Sequence, residues 1–88
     1  MSWHIELSAS AIKVLKRLPR DRQAQIERAI DEMEVDPLAG DVKPLKGQEW
    51  KAHYRKRTGA YRIIFTLDRK AATVAISAIL IRSEKTYR

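Results

Sequence analysis

The segment from His53 to Phe65 constrains the fold of this chain more than any other part of the sequence. Aromatic or apolar residues are interspersed with cations as far as Arg57, and a glycine follows at position 59. The chain then returns through Tyr61 into an apolar run. Alternation with a period of two is typical of a half-buried strand, and a short glycine-containing link between two strands predicts a β-hairpin. The sequence therefore predicts an antiparallel sheet with one apolar and one cationic face.

The rest of the chain supplies further strands and two helices. Alternation predicts strands at 3–7 and at about 50–57, 61–67 and 73–81, the last three forming an antiparallel meander. Apolar residues at helical spacing predict one helix capped by Ser8 or Ser10 and ended by Pro19, and a second from Arg20 or Asp21 that stops before Pro37. Residues 37–49 form a connector marked by proline and glycine. The predicted fold is α+β, ordered β-α-α-β-β-β, in one domain over residues 1–88.

The strand period also assigns side chains to the two faces of the sheet. The helices are expected to cover an apolar face. That face takes Trp50, Ala52, Tyr54, Tyr61, Ile63, Phe65, Leu67, Val74, Ile76, Ala78 and Leu80. The opposite, uncovered face receives a basic surface made of Lys51, His53, Arg55, Arg57 and Arg62, beside Ile64 and Thr66.

Charge points to a polyanionic partner. The 88 residues carry a formal net charge of +7, and the sequence pI is about 10.1. Arginine makes planar, multidentate contacts with phosphate, so a ladder of arginines on one face suits a phosphodiester backbone, and RNA is the leading candidate. Two plainer readings stay open: cations that only confer solubility, and cations that discourage edge pairing.

Several classes of protein are disfavoured by what the sequence lacks. There is no cysteine, which excludes disulfide frameworks, thiolate zinc sites and cysteine nucleophiles. The two histidines are far apart, and no carboxylate cluster has the spacing of metal ligands, so neither a metal nor another cofactor is expected. No apolar run would span a bilayer, and no signal-peptide pattern is seen at the N-terminus. A cytoplasmic protein without a membrane partner is expected.

The basic face could also carry chemistry. His53 is a natural proton carrier near neutral pH, arginines stabilise charge that develops on phosphorus, and Tyr87 is a phenol able to orient or transfer a proton. Together these groups suffice for attack of an RNA 2′-hydroxyl on the adjacent phosphate. A lone histidine on a basic strand is more often an ordinary polar surface residue. The second histidine, His4, lies on the same predicted face as Glu6 and is read as structural or solvated.

The order and spacing of these segments resemble the RelE branch of the RelE/ParE superfamily, the toxins of bacterial and archaeal toxin–antitoxin pairs. The resemblance runs from Trp3 to Tyr87. It rests on the opening strand with residues 7–11, the helix over 13–19, the segment 43–47, the hairpin over 55–65 and the C-terminal stretch 82–87. It implies a RelE-like version of the predicted fold and metal-independent cleavage of mRNA, usually on the ribosome, leaving a 2′,3′-cyclic phosphate. An antitoxin that blocks the toxin is also implied, in a complex that could be a higher oligomer.

Residue by residue, the resemblance implies the following catalytic set. Arg62 matches the arginine that contacts the scissile phosphate, and Arg55 and His53 fall where the family places basic residues, often lysines. Arg82 resembles a late family arginine, with a one-residue ambiguity in spacing, and Tyr87 matches a tyrosine that orients or activates the 2′-hydroxyl. Arg57 and Lys51 are assigned to RNA binding. Acid and base roles within this set stay open.

Two other functions compete with the nuclease. A ParE-like toxin would share the fold but inhibit DNA gyrase without cutting RNA. A protein that had lost catalysis would serve only to bind nucleic acid and repress its own operon with the antitoxin. ParE-type chains generally lack the basic and tyrosine residues present here, so the nuclease is the first prediction.

Overall fold

Two helices cover one face of a five-stranded sheet in the computed structural model, which describes residues 2–47 and 52–81. The predicted α+β class is confirmed, as are both helices and the hairpin. The elements in chain order are β1 (His4–Leu7), α1 (Ala9–Arg17), α2 (Arg20–Val35), β2 (Val42–Pro44), β3 (His53–Thr58), β4 (Tyr61–Asp68) and β5 (Thr73–Ile81).

Local sequence explains both ends of the helical pair. The hydroxyl of Ser8 accepts a hydrogen bond from the Ala11 amide at 3.1 Å, which satisfies one of the amides left unpaired in the first turn of α1. Helix α1 ends at Leu18 because Pro19 follows, and the same proline precedes the first turn of α2. The side-chain amide of Gln23 then donates to the Leu15 carbonyl at 2.7 Å, which ties the two helices together.

The sheet extends beyond the predicted meander on both sides. Its strand order is β1-β5-β4-β3-β2, with β1 parallel to β5 and every other pair antiparallel. The interpretation of residues 37–49 as a plain connector was incomplete, because Val42–Pro44 forms a short edge strand against β3. An edge strand tolerates Pro44, which has no amide hydrogen to donate. Within residues 2–47 and 52–81, no helix is long and apolar enough to cross a membrane.

Strands β3 and β4 are joined by a two-residue turn. Thr58 pairs with Tyr61, so only Gly59 and Ala60 lie outside the ladder. Gly59 has a φ of +57°, whereas Ala60 does not have a positive φ. A positive φ at the first turn residue alone is the pattern of a type II′ hairpin turn, in which glycine is preferred. This tight turn fixes the register of the two strands that carry most of the basic residues.

The core lies between the helices and the sheet face that they cover. Ile26 and Met33 of α2 are fully buried against the sheet, and the rings of Tyr54 and Phe65 stack with their centroids 5.5 Å apart. The buried apolar residues of this core are Ala11, Ile26, Ala29, Met33, Tyr61, Ile63, Phe65, Val74, Ile76 and Ile79. The predicted apolar face of β4 is therefore confirmed through Tyr61, Ile63 and Phe65, with Leu67 half-buried against it.

A bulge in β5 overturns part of the predicted core. Phe65 pairs with Ile76 and Ile64 with Ala78, which leaves Ser77 as one extra residue in β5. An extra residue reverses the alternation beyond it. Ile79 is consequently 2% exposed, whereas Leu80, predicted to be buried, is 48% exposed, and Ala78 lies outside the core.

Ala52 was also wrongly assigned to the core: it precedes β3, has a φ of +63° and is exposed. Trp50 lies outside the described residues.

Lys56 is the one cation of β3 that points away from the basic face. It shares a face with Tyr54 and is 3% exposed beneath α2. Its ammonium donates to the Ala39 carbonyl at 2.9 Å and lies 3.4 Å from the carboxylate of Glu32. A buried ammonium is tolerated only when its charge and its donors are met in this way. Lys56 thus ties the loop after α2 to the sheet.

Candidate functional site

The sheet face opposite the helices, which we call the open face, is organised in rungs, that is, in rows of residues paired across neighbouring strands. Arg55 and Ile64 on this face are nevertheless buried. Three rungs follow from the strand register. The first, which we call the arginine rung, contains Arg57 and Arg62 and ends at Leu80. The middle rung contains Lys43, Arg55, Ile64 and Ala78. The third rung contains His53, Thr66, Ala75 and Glu6.

The arginine rung places two like charges directly opposite each other. Arg57 and Arg62 are cross-strand partners on β3 and β4, and both are half-buried. Like charges at directly opposed positions destabilise a sheet. The Nε atom of Arg57 is buried and has no hydrogen-bond partner among the described residues. Two guanidinium groups side by side can contact the oxygens of one anion, so this rung has the chemistry of a phosphate site.

Arg55 is paired with an acidic side chain. Its guanidinium lies 3.4 Å from the carboxylate of Asp41, and its side chain is only 10% exposed. Asp41 also accepts a hydrogen bond at its backbone carbonyl from the Arg57 amide at 3.0 Å, which holds the carboxylate beside β3. Burial and pairing restrict Arg55 to one position. This arrangement suits a fixed positive charge beneath a substrate better than a mobile phosphate clamp.

His53 stands at the far end of the basic face. It is half-buried and pairs with Thr66, four residues along β3 from Arg57. Alternate residues in a strand are about 6.6 Å apart, which puts His53 about 13 Å from the arginine rung. Beside His53 is a hollow of about 260 Å³ whose other lining residues include Glu6, Thr66 and Ser77. His4 and Glu6 lie on the shared face that the sequence predicted, with His4 Nε2 3.5 Å from a carboxylate oxygen of Glu6.

The structure brings together four of the predicted site residues: His53, Arg55, Arg57 and Arg62 share the open face. Lys51, Arg82 and Tyr87 lie outside the described residues, so their roles stay predictions. Sequence reasoning missed Asp41, because it adjoins the edge strand that was not predicted. It also missed the hollow beside His53, since the alternation of residues in β5 does not predict the bulge at Ser77.

The chain is similar to known toxins in sequence and in structure. The family model described as the ParE toxin of type II toxin–antitoxin systems, parDE, matches residues 5–86. A search of curated proteins finds no match to this chain.

Solved structures give the same picture. The archaeal RelE–RelB complex from Pyrococcus horikoshii OT3 contains a chain that is 25% identical, with a TM-score of 0.81 over 96% of this chain and 99% of that one. The toxin–antitoxin complex RelBE2 from Mycobacterium tuberculosis gives 25% identity and a TM-score of 0.80 over 93% and 100%. The isolated E. coli RelE toxin is 18% identical and shares the fold, with a TM-score of 0.77 over 97% and 92%.

The family match covers nearly the whole chain, and the neighbours match it over almost their full lengths. The resemblance to the RelE/ParE superfamily inferred from the sequence is therefore confirmed. This chain belongs to the ParE toxin family of the RelE/ParE superfamily and is a toxin of a type II toxin–antitoxin system.

Proposed function

We propose that this toxin is an endoribonuclease that cuts mRNA on the ribosome, without a metal ion, in the cytoplasm. The observation that carries the proposal is the arginine rung, in which Arg57 and Arg62 face each other on the open side of the sheet. Phosphate is the ligand that two neighbouring guanidinium groups suit, because each group offers planar, multidentate contacts. The resemblance to RelE toxins implies the class of reaction, which is cleavage of RNA.

In the proposed reaction, a 2′-hydroxyl attacks the adjacent phosphorus, and the bond to the 5′ oxygen of the next nucleotide breaks. The products are a 2′,3′-cyclic phosphate and a 5′-hydroxyl. One group removes the proton from the nucleophile, and another returns a proton to the leaving oxygen. His53 and Tyr87 are the candidates for these transfers, and the arginines, including Arg82, stabilise the charge that develops on phosphorus.

The spacing of the rungs places limits on where the scissile phosphate would lie. With about 13 Å between His53 and the arginine rung, the reacting group would sit between them, over the middle rung. Arg55 would then contribute positive charge from below, held in place by Asp41. We therefore assign Arg55 to charge stabilisation rather than to proton transfer, because guanidinium stays protonated near neutral pH.

We further propose a cognate antitoxin as the protein partner. Two of the structures to which this chain is similar are complexes of a toxin with its antitoxin. An acidic or amphipathic antitoxin segment would complement the net charge of +7 and cover the open face. The neutralised form would then be a toxin–antitoxin complex whose stoichiometry is a matter for measurement.

A second candidate, inhibition of DNA gyrase without nuclease activity, is favoured by one observation. The family model that matches this chain is described as the ParE toxin. The two candidates differ in the need for the basic face as a catalytic surface, so a direct assay separates them.

The deciding experiment compares RNA cleavage in a translating cell-free system with cleavage of naked RNA, each with and without a chelator, mapped by primer extension. Cuts confined to translated message and insensitive to chelator are expected. Arg62→Ala should reduce cleavage by roughly 100-fold or more, as for loss of one transition-state charge contact. The matched control is Arg22→Ala, which removes an exposed arginine of α2.

Each other outcome has a definite reading. Cuts on naked RNA would retain the nuclease and remove the ribosome from the mechanism. A folded Arg62→Ala protein with full activity would overturn the assigned site. Absence of cuts, together with inhibition of gyrase supercoiling, would replace the nuclease by the gyrase inhibitor.

A further inference from the structure

The hollow beside His53 is a formed feature of the open face and is distinct from the arginine rung. Its volume is about 260 Å³. Small side chains, Ala75 and Ser77 of β5, lie in its lining between larger neighbours on β1 and β3. Its remaining lining residues are Glu6, Leu7, Ser8, His53, Thr66 and Ile76.

Hydrogen bonds fix the lining of this hollow. The Ser8 hydroxyl donates to the Ser77 carbonyl at 2.8 Å, and the Ser77 hydroxyl donates to the Ile64 carbonyl at 3.3 Å. The Ser8 amide donates to the Ile76 carbonyl at 2.9 Å. The bulge of β5 is thus pinned both to its neighbour β4 and to the start of α1. A hollow bounded in this way is preorganised, so a ligand that enters it need not order the site.

The size and the polar groups of the hollow define a class of ligand. Pockets for drug-sized ligands usually measure about 300–1,000 Å³, so this one suits a smaller, single-ring or two-ring group. Its polar side chains are a carboxylate on Glu6, an imidazole on His53 and hydroxyls on Thr66, Ser8 and Ser77. Unpaired bases of single-stranded RNA are read by hydrogen bonds to their edges in such pockets.

The carboxylate makes the hollow selective. A glutamate accepts a hydrogen bond from an exocyclic amino group, such as the N4 amine of cytosine. Uracil presents a carbonyl oxygen at the equivalent position, and two acceptors facing each other repel. The Glu6 carboxylate lies 3.5 Å from the His4 ring, and the Glu6 side chain is 63% exposed, so its carboxylate is accessible from solvent.

We propose that this hollow binds one nucleobase of the RNA substrate and that Glu6 makes it favour bases with an amino group over uracil. The inference rests on the proposed nuclease function and adds a specificity-determining residue to it. The hollow lies at the third rung, about 13 Å from the arginine rung along β3. An RNA molecule with one phosphate bound by Arg57 and Arg62 would thereby present a nearby base to Glu6.

Nucleoside binding tests the pocket independently of catalysis. Amide chemical shifts of the purified full chain would be followed while cytidine or uridine is added, since these two differ mainly in the amino and carbonyl groups at position 4. Cytidine should shift the amides of Thr66, Ala75 and Ser77 and bind about fivefold or more tightly than uridine. Glu6→Gln should bring the two affinities close together, because an amide both donates and accepts. Glu27→Gln makes the same change on exposed α2 and should leave the preference intact.

Cut-site mapping tests the same residue in the reaction. Glu6→Gln should add cuts of translated message that have uracil at one fixed position relative to the scissile bond. If the wild-type protein binds cytidine selectively but cuts no RNA, the nuclease is wrong and the base pocket stands. If neither nucleoside shifts these amides, or if Glu6→Gln keeps the cytidine preference, the pocket is wrong whatever the cleavage assay shows. Weakened antitoxin binding by Glu6→Gln, with unchanged nucleoside binding and cut sites, would make the hollow a protein contact instead.

Discussion

Arg57 and Arg62 are cross-strand partners one rung away from the turn that joins β3 to β4. The next pair, Thr58 with Tyr61, closes the hairpin, and Tyr61 is buried in the core. The two arginines therefore stand beside a tight turn that fixes the register of β3 and β4. Two guanidinium groups held side by side in this way can contact one anion together.

The first prediction concerns anion binding at this rung. Sulfate at about ten times its dissociation constant should stabilise the wild-type protein by about 1.4 kcal/mol, because a ligand of the folded state alone shifts unfolding by mass action. Arg57→Gln should lose this increment. Sulfate also stabilises proteins generally by exclusion from their surface. The measurement is therefore the difference in thermal unfolding between Arg57→Gln and the control Arg22→Gln across a sulfate titration; equal responses would exclude a site.

The second prediction concerns the pair between Arg55 and Asp41. Asp41→Asn keeps the shape of the side chain but leaves a guanidinium that is 10% exposed without its carboxylate. Asp41 is itself 51% exposed, so water compensates part of the loss. We expect the free energy of unfolding to fall by about 1–2 kcal/mol, as for loss of a charged hydrogen bond. Urea unfolding of Asp41→Asn beside Asp31→Asn, an exposed helix position, checks this; equal stabilities would mean that Arg55 needs no partner.

The third prediction separates Lys56 from the basic face. Lys56→Met should lose no more than about 1–2 kcal/mol, because Met fills a similar volume, the Glu32 carboxylate is 67% exposed and stays solvated, and only the Ala39 carbonyl loses a donor. Lys56→Ala should lose about 2–3 kcal/mol through the cavity that it leaves under α2. RNA cleavage by Lys56→Met should remain near the wild-type level. A folded but inactive Lys56→Met protein would place this ammonium in the site.

The fourth prediction concerns the two roles of Ser8. Its hydroxyl caps α1 and also donates to the Ser77 carbonyl in the bulge. Ser8→Ala should lower the free energy of unfolding by about 1–2 kcal/mol, the upper part of the range for a helix N-cap. Ser10 reaches the same carbonyl only at 3.5 Å and caps nothing, so Ser10→Ala is the matched control. The prediction fails if chemical denaturation gives both variants the same midpoint.

The sequence predicted most of what depends on local periodicity. Both helices, the Ser8 cap of α1 and the β3–β4 hairpin follow from spacing that spans only a few residues, and so does the common face of His53, Arg55 and Arg57. Local periodicity does not predict which segments that are distant in the sequence pair with each other. The strand at Val42–Pro44 is three residues long and contains a proline, so its only evidence is its pairing with β3.

The prediction of which β5 residues face the core was wrong for a different reason. A single extra residue at Ser77 reverses inside and outside for everything after it, and local sequence preference for a bulge is weak. Lys56 shows the converse case. Strict alternation places it on the helix-facing side with Tyr54, although its charge argues for the opposite side. The strand register places Lys56 on the helix-facing side, and its burial is tolerated because Glu32 and the Ala39 carbonyl interact with its ammonium group.

The parallel pairing of β1 with β5 has a consequence for how the protein is made. His4 is aligned with Thr73, so the first strand of the chain finds its place only when the last strand exists. Such non-local pairing is slow to form relative to local hairpins. During synthesis the β3–β4 hairpin can form early, whereas Glu6 reaches Ala75 and completes the third rung only at the end. A nascent chain therefore carries Arg57 and Arg62 before it carries a finished third rung.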